Sequence, residues 1–343
     1  MQEEVKKTKI LVIQTAFLGD VILALPLIQT IKVVMPDTII DFICVPTASN
    51  VLQNHPDINR IIIYDKKGKR KLDKFLDLIA EIRREHYDIV LCPHRSARSA
   101  LMTYFSKAKM KVGFDKNSLS FLLNMKVPYD DTAHEIERNL DLLQSVLENP
   151  IDESQVSLKP QLYPYEKDEK IVELILKEHN AGENIIAFAP CSRWFTKQFP
   201  VHKSFDTIRE LIRQNHSVVL LGGGEDFEYG KQVEKEINDK ALINLCGRLT
   251  PLQSYIVINK SKCLITVDSA SQHLGAAADT PIVLIYGSTD RRFGFYPLTS
   301  KNVVVENIGL KCRPCTNHGR TECPLKHFKC MEELSVEEIV RKA

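Results

Sequence analysis

The order of apolar and polar positions predicts strands alternating with helices along nearly the whole chain. Short aliphatic runs bounded by turn residues predict buried strands at Lys9–Gln14, Ile39–Cys44, Arg60–Tyr64, Asp88–Cys92 and Lys111–Gly113. The same signal returns at Asn184–Phe188, Ser217–Leu221, Ala241–Asn244, Cys263–Val267 and Ile282–Tyr286. Between them, helical patterning covers Asp20–Val34, Leu72–His86, His134–Leu147, Lys167–His179, Ser204–Asn215 and Phe227–Asn238. Strands alternating with helices form parallel sheets covered on both faces, so the fold class is α/β with doubly wound sheets.

The alternation pauses between Asn149 and Tyr165, where prolines and charges crowd together, and restarts at "NIIAFAP". This predicts two Rossmann-like domains, residues 1–163 and 164–330, facing a central cleft at the carboxyl ends of their strands. A last helix, Ser335–Lys342 within 331–343, is expected to pack back on the first domain. The length of 343 residues agrees with two domains. A net charge of +2 gives no global case for nucleic acid. No apolar run is long enough to span a bilayer, and "MQEEVKKTKILVIQ" lacks the features of a secretory signal. A cytoplasmic protein with reduced thiols is the expectation.

The candidate chemistry lies where predicted strands end. After the first strand, "QTAFLGDV" places Gly19 at a tight turn and Asp20 at a helix start. Asp20 is either a helix cap or a carboxylate able to take a proton from a bound hydroxyl. "CPHRSARSALM" brings His94, Arg95, Ser96 and Arg98 to another strand end, where they suit an anionic acceptor or an anionic membrane surface. The basic run Lys66, Lys67, Lys69, Arg70 and Lys71 reads as a solvated turn.

In the second half, "CSRWFTK" supplies Ser192, Arg193, Thr196 and Lys197, two hydroxyls and two cations that suit a diphosphate. "GGGED" offers a glycine-rich turn and Glu225, an acceptor for ribose hydroxyls. "VDSASQH" contributes Asp268, Ser269, Ala270, Ser271, Gln272 and His273, with backbone N–H groups at a helix start ready for phosphate. The tail holds Cys312, Cys315, Cys323 and Cys330, whose spacing allows either a structural zinc site or free thiols holding a loop.

In order and spacing, "KILVIQTAFLGDVILALPLI", "KVGFDKNSLSFLLNMKVPYDDTAHEIERNLDLL", "APCSRWFTKQFP" and "VDSASQHLGAAADTPIVLIYGSTD" resemble glycosyltransferase family 9, the lipopolysaccharide heptosyltransferases. The resemblance covers nearly the whole chain. It implies a GT-B architecture whose first domain takes the acceptor and whose second takes the nucleotide sugar. It implies an inverting transfer of heptose from ADP-heptose to the inner core of lipopolysaccharide, at the cytoplasmic face of the inner membrane. By this resemblance Asp20 matches the catalytic base, Lys197 the lysine on the donor phosphates and Glu225 the acid on the ribose. Asp268, Ser269 and His273 match a donor-binding D-[ST]-G-x-x-H pattern. Two positions depart from it, since Cys191 and Ala270 stand where glycines are usual. If the latter needs positive φ, alanine is costly there. No metal cofactor is expected, because Lys197, Arg193 and the helix start can supply the positive field. The alternatives are transfer of another nucleotide-linked sugar, a non-catalytic sugar-nucleotide binder, and a nicotinamide-dependent oxidoreductase. The last is disfavoured by the missing G-x-G-x-x-G in the first domain.

Overall fold

The computed structural model describes residues 7–66 and 70–343. The chain separates into two compact units, Met1–Tyr163 and Pro164–Ala343. The first is built on β1 (Lys9–Ile13), β2 (Ile39–Cys44), β3 (Arg60–Ile63), β4 (Ile89–Cys92), β5 (Met110–Phe114) and β6 (Met125–Val127), in the spatial order β3-β2-β1-β4-β5-β6. The second uses β7 (Ile185–Ala189), β8 (Ser217–Leu220), β9 (Leu242–Asn244), β10 (Cys263–Val267), β11 (Ile282–Tyr286) and β12 (Asn302–Glu306), in the order β12-β11-β10-β7-β8-β9. All the pairings are parallel. Counted from its own first strand, each sheet has the doubly wound order 3-2-1-4-5-6.

The inner strands are aliphatic and buried along their length, as β7, β10 and β11 show. Strands covered on both faces lose the alternation seen when one face meets water. The edge strands β6 and β12 are half exposed, and the hydrophobic pattern did not predict them. The predicted helix Asp20–Val34 is two helices, Leu18–Leu23 and Leu25–Val34, broken at Ala24. Pro26 lies in the first turn of the second, where its missing N–H costs nothing. A helix at Ala97–Phe105 was hidden by its basic first turn. Lys67 and Lys69 of the basic run lie outside the described residues.

The last helix, Val336–Arg341, packs within the second unit. Met331, Leu334, Ile339 and Val340 are buried in the core of the second with Ile208 and Leu211. Their apolar side chains cover the helix Val201–Arg213, and Lys203 Nζ donates to Leu334 O at 2.7 Å. Among the described residues no helix is long and apolar enough to cross a membrane.

The helix Ala270–Ala278 lies close on its sheet. A Cβ on Gly275 would stand 2.6 Å from Leu264 Cδ2 and 3.0 Å from Ile282 Cδ1. Gly275→Val is therefore expected to destabilise the protein by about 1–3 kcal/mol through overpacking, read as a lower urea midpoint with unchanged slope. An unchanged midpoint would show that the helix can lift away without cost.

Candidate functional site

In both sheets the first and fourth strands are neighbours, and there the chain reverses the side on which it adds strands. Loops that leave those neighbouring strands run to opposite faces and open a crevice at the carboxyl ends. In the first unit the relevant loops follow β1 and β4, and in the second they follow β7 and β10.

Asp20 is not the residue that opens its helix. It is the third residue of Leu18–Leu23, and its Oδ2 accepts from Phe17 N–H at 3.1 Å. Gly19 is inside the same turn and is not among the positive-φ glycines, so the turn does not depend on it. Across the strand reversal, His94 Nδ1 lies 2.9 Å from Thr15 Oγ1 and 3.1 Å from Ser99 Oγ. Lys66 Nζ donates to Thr15 O at 2.6 Å. Ser96 is the cap of the helix Ala97–Phe105 and accepts from Ser99 N–H at 3.2 Å. Arg95 and Arg98 are exposed, and the Arg95 guanidinium sits 3.8 Å from the centre of the Tyr129 ring. Burial, then the charges of Lys66 and Arg95, lower the His94 pKa to about 4, so the ring is neutral near pH 7.

In the second unit Asp268 is the hub. Its Oδ2 takes Lys197 Nζ at 2.7 Å and the Thr289 hydroxyl at 2.7 Å, and its Oδ1 takes Gln272 Nε2 at 2.8 Å. Burial pushes the Asp268 pKa up, but the charge and hydrogen bond of Lys197 and the Thr289 hydroxyl outweigh it and hold the pKa below the usual value. Ser269 is the N-cap of Ala270–Ala278, yet its side chain makes no capping bond. Ser269 Oγ and Gln272 Oε1 are buried without a hydrogen-bond partner among the described residues. Ser271 belongs to the first turn of this helix, and His273 is buried one step further on. Ala270 is the first helical residue and is not among the positive-φ positions, so alanine carries no strain there. Cys191 is likewise free of positive φ and is buried near Asp226.

The remaining residues of this cluster divide into exposed and engaged groups. Arg193 is exposed with its guanidinium 5.9 Å from the Trp194 ring centre, and Ser192 uses its carbonyl to accept from Gln198 Nε2 at 2.7 Å. Thr196 is 1% exposed, and its hydroxyl bonds to Arg320 and Ser288 inside the protein. Glu225 is exposed on the turn Gly224–Asp226, while its neighbour Asp226 accepts from Gly223 N–H at 2.8 Å.

Cys312, Cys315 and Cys323 line a cavity of about 220 Å³, and Cys330 is buried. All nine cysteines are free thiols. Among the described residues no group of three or more His, Cys, Asp or Glu is arranged to hold a metal ion.

The chain matches glycosyltransferase family 9 (heptosyltransferase) over residues 75–327. It belongs to that family. The transferase is 27% identical to lipopolysaccharide heptosyltransferase 2 of Salmonella typhimurium over 311 residues, covering 88% of each chain. Its fold superposes on the structure of E. coli ADP-heptose LPS heptosyltransferase II with a TM-score of 0.78 at 23% identity, covering 98% of this chain and 97% of that one. A family 9 glycosyltransferase from Veillonella parvula superposes with a TM-score of 0.79 at 22% identity, covering 89% of this chain and 87% of the other. The transferase thus has the two-domain α/β fold of the GT-B class.

Sequence reasoning passed over the buried cluster behind Asp20. Arg138 is 1% exposed and donates to Glu135 Oε2 at 2.8 Å. The Tyr129 hydroxyl joins both, receiving from Arg138 at 2.5 Å and donating to Glu135 at 3.3 Å. Burial, then the charge of Asp20, raise the Glu135 pKa to about 7 against the pull of Arg138. "HEIER" carried a signal for this cluster, since a Glu and an Arg three apart share a helix face. Thr289 gave none, because its partner Asp268 is met only through the fold.

His94 generates a pH prediction for the transferase. Its pKa is about 4 in the fold and 6.5 ordinarily, so between these values the unfolded chain binds more protons. This contribution to stability is full above pH 6.5 and is lost as pH falls toward 4. Near pH 5.5 the proton uptake on unfolding should drop by about one in His94→Gln, measured from the pH dependence of urea unfolding. An unaltered slope would mean that His94 titrates normally in the fold.

Proposed function

We propose that this glycosyltransferase moves a heptose from ADP-heptose to a hydroxyl of the lipopolysaccharide inner core with inversion at the anomeric carbon. The observation that carries the donor half is the helix start at Ser269. It is uncapped by its own side chain, its Ser269 hydroxyl is buried without a partner among the described residues, and it stands beside a lysine held by a buried carboxylate. A diphosphate supplies the acceptor oxygens that such a site lacks.

In this reading Asp20 accepts the proton of the acceptor hydroxyl. The freed oxygen attacks the anomeric carbon as the bond to ADP breaks on the opposite face. Negative charge builds on the diphosphate, and Lys197 meets it. An ammonium carries three donors, so Asp268 can hold one while the others face phosphate. The backbone at Ser269–Gln272 and the exposed Arg193 add to the same field. Glu225, exposed beside its glycine-rich turn, takes the ribose hydroxyls, and His273 hydrogen-bonds near the phosphates. Gly19, His94, Arg95, Ser96 and Arg98 belong to the acceptor side. There the two exposed arginines meet the anionic acceptor and the membrane surface that carries it. The neutral His94 ring serves as a hydrogen-bonding wall and not as a charge.

Mass analysis of core-truncated lipopolysaccharide incubated with a panel of nucleotide sugars should show a gain of one heptose from ADP-heptose. A gain of any other sugar would overturn the donor assignment. Asp20→Asn should lower the transfer rate by about 10²–10⁴-fold while ADP still binds. Lys197→Ala should cost about 10²–10³-fold in kcat. Transfer at the unaltered rate by Asp20→Asn would remove Asp20 from the role of base.

A further inference from the structure

The cysteine-rich tail is the one prominent motif that the transfer reaction leaves without a role. Its turn Thr316–Gly319 lies directly on the loop that carries Lys197. Thr316 Oγ1 closes the turn, accepting from Gly319 N–H at 2.8 Å and donating to Gly319 O at 3.1 Å. Gly319 has φ +89°, and a Cβ there would stand 2.9 Å from both Lys197 Cδ and Trp194 Cβ. The tail backbone is therefore packed against the stem of the lysine.

The next residue is joined to the lysine loop on both edges. Thr196 N–H donates to Arg320 O at 3.1 Å, and Arg320 N–H donates to Thr196 Oγ1 at 2.8 Å. Ser288 Oγ donates to the same hydroxyl at 2.8 Å, and Ser288 N–H donates to Thr196 O at 3.3 Å. Cys315 N–H then donates to Ser288 O at 2.9 Å, which ties the tail to the loop after β11. Phe195 stacks on Phe328 of the tail with centroids 5.0 Å apart.

Resting on the donor reading of Lys197, we propose that the tail segment 315–320 is a positioning clamp for the donor diphosphate. It acts through the Thr196 hydroxyl and the bare backbone of Gly319. A free lysine side chain samples many rotamers, and ordering it on ligand binding costs affinity. The clamp fixes the stem beforehand, with the ammonium already on Asp268. Thr196 is thus a positioning residue that does not itself touch the donor.

The test is ADP titration by calorimetry on the unaltered protein, Gly319→Ala, Thr196→Val and Thr196→Ser, with the emission of Trp194, the single tryptophan of the chain, reporting the state of the loop. Gly319→Ala and Thr196→Val should each weaken ADP about tenfold and shift the Trp194 emission. Thr196→Ser, which keeps the hydroxyl, should recover most of the affinity. In turnover the loss should fall on KM for the nucleotide sugar more than on kcat. If Gly319→Ala does not fold, the valine and serine pair decides alone. Equal ADP affinity in folded Thr196→Val and the unaltered protein would overturn the clamp. Failure of the unaltered protein to bind ADP would overturn the donor reading itself.

Discussion

The ion pair of the buried Asp268 with the half-buried Lys197 is the constraint on which the second unit's loops depend. A carboxylate out of water needs its oxygens filled, and here an ammonium, an amide and a hydroxyl fill them. The three donors come from the loop after β7, the helix after β10 and the loop after β11. One carboxylate thereby sets the relative position of three chain segments. Removing Lys197 leaves the buried carboxylate without its cation, a loss that typically costs about 3–5 kcal/mol. The pair also explains why a lysine can stand at an uncapped helix start without drifting into solvent.

The same architecture recurs in both units, but the charges differ. The second unit concentrates a cation and open backbone donors at its strand reversal, which suits an anionic leaving group. The first places Asp20 there, with the buried Glu135, Arg138 and Tyr129 behind it. That cluster connects to the loop after β4 through Arg95, which lies on the Tyr129 ring. The two units are thus distinguished by which side chains the loops after the first and fourth strands present.

Much of this was legible in the sequence, and the gaps have physical causes. The strands Ile39–Cys44, Cys263–Val267 and Ile282–Tyr286 matched to the residue, since buried aliphatic runs leave little ambiguity. The edge strands β6 and β12 did not, because partial exposure mixes polar residues into the pattern. Ala270 looked costly by comparison with glycine, but the position has ordinary helical backbone. Thr196 read as a ligand hydroxyl, yet its partner Arg320 is 124 residues away and only the fold brings the two together. Local spacing reveals which chemistry is present. It does not reveal which polar groups are consumed in holding the site together.

The placement of the final helix bears on how the protein is made. The core of the second unit is completed by Phe328, Met331, Ile339 and Val340, which leave the ribosome after its six strands. The first unit spans Met1–Tyr163. During synthesis the first unit can close its core early, while the second waits with Ile208 and Leu211 uncovered until those later residues emerge. The exposed interval, and with it the demand on chaperones, therefore falls on the second unit.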